Sequence, residues 1–288
     1  LGPNGMGKST AINLLSGSTR PNLGDWQDFD KEWTEIIASF PRGELRDYLE
    51  LISKSEVKIA VKPQYVDKLP KLWDGEVRGL LERVDDRGRL EEFAEITSIE
   101  HILERKLSGL SGGELQRVAI CATILKEADV YFFDEPSSYL DIHERMRVVR
   151  LIQSLVEDGK RIIVIEHDLA ILDVLCDLVH IVYGQRAAYG IFTPPRTTRT
   201  AINAYLDGYL NEENVRIRDK PISFLRGRVR GEEVGDTILQ WGDMKKAMGS
   251  FSLETGKGGV RSAEVVGVVG PNATGKTTMV RMIAGEIE

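Results

Sequence analysis

Two nine-residue stretches of this sequence have the residue types needed to hold phosphate. Gly2–Thr10 reads GPNGMGKST and Gly270–Thr278 reads GPNATGKTT. They align at an offset of 268 with six of nine positions identical, and Gly17 and Gly285 align at the same offset. In such a loop glycines let backbone N–H groups approach phosphate oxygens, and the lysine, Lys8 or Lys276, reaches the terminal phosphates. The hydroxyl beside it, Ser9 or Thr277, is suited to Mg²⁺, and the helix that follows adds a positive dipole end. The expected binding residues are Gly2, Asn4, Gly5, Gly7, Lys8, Ser9 and Thr10 in the first copy. In the second they are Gly270, Asn272, Gly275, Lys276, Thr277 and Thr278. A Gly-rich turn with a surface lysine is the plainer alternative, and two aligned copies weigh against it.

Three further constellations lie between the repeats. Val130–Pro136 (VYFFDEP) is an apolar run ending in two carboxylates. Asp134, at the end of the strand, is placed to hold Mg²⁺ or its water. Glu135 is placed to orient or deprotonate an attacking water. Leu110–Arg117 (LSGGELQR) offers a hydroxyl at Ser111 and free N–H groups at Gly112 and Gly113, a second anion cradle. The same residues also read as an ordinary capping box, Ser111 with Glu114 three residues on. A histidine, His167 in VIEHDL, follows the next apolar run.

The elements that must position these residues alternate. The pattern predicts a helix over Thr10–Ser16 and a short strand at Val57–Val61. Mostly helical chain is expected over residues 76–105, and a helix from Gly112 to about Lys126. Strands are expected at Val130–Phe133, Ile162–Ile165 and Leu178–Tyr183, with helices at Ile142–Glu157 and Leu169–Cys176. Near-continuous apolar strands alternating with helices imply a parallel sheet covered on both faces, an α/β fold. Val265–Val269 reads as one more strand, leading into the second loop. Residues 193–221, with Pro194, Pro195, Gly208 and Pro221 among polar residues, read as a linker or hinge.

Composition narrows the class. The chain has 288 residues, 38 Lys+Arg and 45 Asp+Glu, a net charge of −7. No apolar run approaches the ~20 residues that span a bilayer. Cys121 and Cys176 stand alone, without a disulfide framework or metal-ligand spacing, which points to a reducing compartment. The acidic balance argues against nucleic-acid binding through global charge and leaves local basic patches open.

The order of these motifs resembles the ATP-binding cassette (ABC) ATPases. There a P-loop precedes a Gln loop, an LSGGQ-like signature, a DE strand, a D-loop and a switch histidine. Gln64 in VKPQYV matches the Gln loop, Ser111–Glu114 the signature, Ser138–Asp141 the D-loop and His167 the switch. The resemblance implies a P-loop NTPase fold of ABC type, with a parallel core sheet and a helical subdomain. It implies Glu135 and His167 as catalytic residues. It implies Ser9, Gln64, Asp134 and Thr277 around Mg²⁺, and ATP as the nucleotide. VKPQYVDKLPK, FFDEPSSYLD, IEHDLAILD and AINAYLDGYLNEENVRIRD are similar to the E subfamily, the RNase L inhibitor-like ribosome-recycling ATPases. That family has tandem cassettes paired within one chain and is soluble and cytoplasmic, without a membrane partner. It acts on the small ribosomal subunit with a release factor or its relative. Its two [4Fe–4S] clusters sit in an N-terminal domain that this sequence lacks.

The expected organisation is a first cassette over 1–192 without its first strand, a hinge over 193–220, and the start of a second cassette over 221–288. The chain thus reads as an internal piece of a longer protein. In such tandem proteins the loop of one cassette faces the signature of the other, so Lys276 and Thr277 are expected opposite Ser111 and Gly113. A basic cluster, Arg216, Arg218, Lys220, Arg226, Arg228 and Arg230, is a candidate for rRNA phosphates and equally a solvated linker. Pro41–Leu51 is a candidate for the family's ribosome-facing helix-loop-helix or a plain surface helix. The competing reading is the ATP-hydrolysing subunit of a transporter; the hinge and the tandem loops favour the ribosomal one.

Overall fold

The computed structural model describes residues 1–25, 27, 31–223, 236–249 and 251–287. It divides into two compact units: residues 1–140 with 144–223, and residues 224–288 with 141–143.

The first unit is built on a parallel three-stranded sheet in the order β1 (Ile59–Lys62), β2 (Val130–Asp134), β3 (Arg161–Ile165). Side chains alternate across a strand, so consecutive residues of β2 serve opposite faces. Val130 and Phe132 join Ile12 of helix α1 (Lys8–Leu15), with Ile59, Val61 and Leu15 packed around them. Tyr131 and Phe133, stacked at 6.4 Å, face the other way. They join Ala60 and the helix Gly112–Ile124 in the larger core. Every residue of β2 is buried, as expected for a central parallel strand, whereas β3 alternates and leaves Ile163 41% exposed.

The helical subdomain adds Val77–Glu82, Leu90–Ile96 and several short turns to the same core. Ahead of β1, Trp33–Ser39 and Glu44–Ser53 form two helices joined through residues 40–43; Pro41–Leu51 covers most of that loop and of the second helix. Ile36 and Leu49 are its buried residues, and the Tyr48 hydroxyl donates to Leu15 O at 2.8 Å.

Two expected strands differ. Leu178–Tyr183 is broken in two. Leu178–Val179 pairs antiparallel with Arg196–Thr197, and Val182–Gln185 pairs with Tyr189–Phe192. The break lets Ile181 N–H bond the Thr193 hydroxyl while Val179 and Ile181 enter a third small core. Residues 193–220 hold the helix Thr198–Asp207 and the pair Tyr209–Leu210/Val215–Arg216. Ala201 and Leu210 complete that small core. Arg196, almost fully buried, pairs with Glu212 at 3.3 Å and with Glu213.

The second unit has two antiparallel pairs, Thr237–Trp241 with Gly258–Arg261 and Met244–Met248 with Phe251–Thr255. The helix Lys276–Ile283 follows the second Gly-rich loop. Val265–Val269 is not a strand, and Val265 and Val269 are 96% and 97% exposed. A strand exists through its neighbours, and the described residues of this unit give this run none to pair with. Arg226, Arg228 and Arg230 lie outside the described residues. Of the rest of that cluster, the Arg216 guanidinium sits 5.8 Å from the Tyr209 ring centre and that of Arg218 5.1 Å from Tyr205.

Candidate functional site

Helix α1 begins at Lys8, two residues before the expected Thr10, because Gly7 supplies the left-handed turn before it (φ 78°). Gly5 has the same sense (φ 79°). Gly2 has no room for a side chain, since a Cβ there would lie 2.5 Å from Val182 O. The loop therefore closes over its own lysine, whose Nζ donates to Gly2 O at 2.7 Å and Pro3 O at 2.8 Å. Lys8 is buried, and desolvation lowers its pKa while Glu135 and Asp134 oppose the fall.

The second loop repeats the shape. Gly275 is left-handed (φ 90°), Ala273 stands where the first loop has Gly5 (φ 59°), and Lys276 Nζ donates to Gly270 O at 2.7 Å and to Pro271 O. Around it Met248, Phe251, Asn272, Ala273, Gly275, Lys276, Thr277 and Thr278 line an open cleft of about 440 Å³. Met248 and Phe251 carried no signal in the sequence; the hairpin brings them there.

In the first unit the strand ends converge beside the loop. Asp134 shares the face of Val130 and Phe132, toward α1, and the Ser9 hydroxyl bonds it there. Burial raises the Asp134 pKa, and its Oδ1 is buried without a partner among the described residues. A buried carboxylate oxygen left open beside a serine hydroxyl is a donor set that fits Mg²⁺.

Glu135 adopts left-handed backbone (φ 50°), with its N–H on Ile165 O at 2.9 Å. Its carboxylate meets three side chains. Gln64 Nε2 donates to Oε1 at 2.8 Å, His167 Nε2 lies 3.4 Å from Oε1, and the Ser138 hydroxyl donates to Oε2 at 3.2 Å. Burial lowers the His167 pKa, with Lys8 adding to the effect. Gln64 thus reaches the glutamate, and no bond links it to Asp134.

Ser111 caps the helix Gly112–Ile124 in a full capping box: its hydroxyl meets Glu114 N at 3.4 Å, and its N–H donates to Glu114 Oε2 at 2.7 Å. Its hydroxyl also donates to Glu114 Oε2 at 2.7 Å. Burial raises the Glu114 pKa, but the two Ser111 bonds together with the charges of Arg105 and Arg117 make the net shift downward. Gly112 lies against the Tyr139 ring, 3.5 Å from where a Cβ would be.

Three buried polar residues escaped the sequence reading. Lys62 Nζ donates to Asp134 O at 2.9 Å and Glu135 O at 3.3 Å. Gln116 Nε2 donates to Glu135 O and Pro136 O, both at 2.9 Å. Glu166 accepts from His167 N at 2.8 Å, Asp168 N at 3.3 Å and Ser137 N at 3.3 Å. Signals existed: period two puts Lys62 on the face of Ala60, and Gln116 sits four residues before buried Ile120.

The ABC transporter family pattern matches residues 1–138. An uncharacterized ABC transporter ATP-binding protein of Methanocaldococcus jannaschii is 46% identical over 288 residues, all of this chain and 47% of its own length. ABC transporter E family member 1 of Arabidopsis thaliana is 40% identical over 289 residues, 99% of this chain and 48% of its own. The chain belongs to the E subfamily of the ABC ATPases. A structure of ribosome-bound archaeal Pelota and ABCE1 contains a chain that superposes on this E-subfamily cassette with a TM-score of 0.91 at 48% identity. That match covers 100% of this chain and 48% of the other. The chain spans about half the length of these relatives.

Proposed function

We propose that the first unit binds Mg²⁺-ATP in the Gly2–Thr10 loop. As part of a tandem-cassette protein it would hydrolyse ATP to drive the splitting of ribosomes after termination. The observation that carries the catalytic part is the placement of Glu135, its carboxylate held by Gln64, Ser138 and His167 beside the Ser9–Asp134 pair. Lys8 is parked on two loop carbonyls, which stand in for phosphate oxygens until nucleotide displaces them. The loop N–H groups and the start of α1 then cradle the phosphates. Ser9 and Asp134 would hold Mg²⁺, which neutralises phosphate charge when bound. Glu135 takes the proton of the attacking water. His167, its pKa lowered by burial and by Lys8, would present Nε2 to the terminal phosphate from beside Glu135. The ribosomal part rests on the E-subfamily relatives, among them the ribosome-bound one. A small-subunit and release-factor-like partner belongs to the same reading, as does a cytoplasmic site of action. In the second unit, Met248 and Phe251 give the second loop an apolar wall suited to a flat base.

Glu135→Gln in the whole protein tests the assignment, because it keeps shape and loses the proton acceptor. ATP binding should persist while hydrolysis falls by roughly 10²–10⁴-fold, the usual weight of a general base. The closed protein should then accumulate on small subunits in a sucrose gradient. Unchanged single-turnover hydrolysis would remove Glu135 from the role.

A further inference from the structure

We propose that Lys62 is a positioning residue for ATP hydrolysis: its buried ammonium fixes the left-handed turn that aims the Glu135 carboxylate. The proposal rests on Glu135 being the general base.

Lys62 ends β1 and has no exposed surface. Its neighbours Ile59 and Val61 face α1, whereas Ala60 faces the larger core. The period of two puts Lys62 with Ala60, on the face opposite the phosphate loop. An ammonium in that position is costly to desolvate, and a leucine or methionine would fill the volume without the cost. The charge therefore needs a use. Its hydrogen-bond partners are main-chain carbonyls, those of Asp134 and Glu135.

Those two carbonyls converge because the chain reverses at Glu135, in a region of backbone space that non-glycine residues rarely hold. Such a conformation persists when its surroundings over-determine it. Here the Glu135 N–H is tied to Ile165 O in β3, and its carbonyl accepts from both Lys62 and Gln116. With both flanking peptides fixed, the direction of the side chain is fixed too. Lys62 is the only one of these donors with a charge, and charged donors make the stronger bonds. It lies two residues before Gln64, so one strand end supports the glutamate twice. Gln64 holds its carboxylate and Lys62 holds its backbone. Removing the ammonium frees the turn and lets the carboxylate drift from its partners, while the Lys8 loop on the far face is left alone.

The test uses the whole protein. Lys62→Met keeps side-chain length and removes the ammonium. ATP affinity and single-turnover hydrolysis are compared for wild type, Lys62→Met, Glu135→Gln and the double variant. Misplacing a catalytic group should slow hydrolysis by about tenfold or more while the ATP Kd stays within about twofold. Once Glu135→Gln has removed the base, Lys62→Met should cost less than about twofold more. Lys62→Met hydrolysing within about twofold of wild type overturns the proposal. So does a matching loss of ATP affinity, and so does an undiminished loss in the Glu135→Gln background. If Lys62→Met does not fold, Lys62→Gln takes its place under the same criteria; if neither folds, Lys62 is a core support and the proposal falls. Glu135→Gln hydrolysing like wild type overturns the base assignment instead, so the two failures are distinct.

Discussion

At the scale of single residues the site combines buried groups, Lys8 and Asp134, with groups that keep some contact with water, Glu135 and His167. His167 shows the pH consequence. Its pKa is lowered by burial and by Lys8, so the folded protein resists protonation there more than the unfolded chain does. The unfolded chain thus binds more protons as pH falls past the ordinary histidine value of about 6.5. The stability this neutral histidine contributes is fully present above that pH and is lost as pH drops through the folded pKa. We expect the melting temperature of the wild type to fall more steeply between pH 7 and pH 5 than that of His167→Gln. Equal slopes in the two melting series would show that His167 is not held neutral.

At the scale of elements, the sequence was most readable where period and chemistry agreed. β2 announced itself by four apolar residues, Val130–Phe133, followed by two acids, and the signature helix by its capping box. The strand ends were legible as positions but not as a network. Nothing in VKPQ says that Lys62 bonds the carbonyls of Asp134 and Glu135 while Gln64 bonds the Glu135 carboxylate, since that depends on where β2 stops. Residues 193–220, read as a linker or hinge, have an internal order that composition does not give. Prolines and polar residues gave the linker reading, and in the structure one buried arginine organises the segment. Arg196 pairs with exposed Glu212 and with nearly buried Glu213, and the second pair ties the loop after Leu210 to the strand at Arg196–Thr197. Removing one member of a buried pair leaves the other charge stranded. Arg196→Met should therefore destabilise the first unit by about 3 kcal/mol in denaturant melts. Protease cleavage near Asn211–Asn214 should rise with it. Unchanged stability would mean that the hairpin is held by Leu210 alone.

At the scale of the whole molecule, the 288 residues carry two phosphate loops but one LSGGELQR and one DEP strand. Catalysis needs loop, metal ligands, base and opposing signature preorganised together. The chain by itself should release phosphate far more slowly than the whole tandem protein, while still binding nucleotide. A steady-state rate near ~1 s⁻¹ from the purified chain, abolished by Glu135→Gln, would show that one cassette suffices.

The exposed run Val265–Val269 bears on how the chain behaves in a tube. Four valines and a glycine, without charge or proline, pair with no strand among the described residues; Val265 and Val269 stand almost fully in water and Val266 and Val268 about half. Such a segment is a template on which a second copy can lay its own valines, building main-chain pairing outward from molecule to molecule. In a concentrated solution of these 288 residues, self-association should therefore begin at this run.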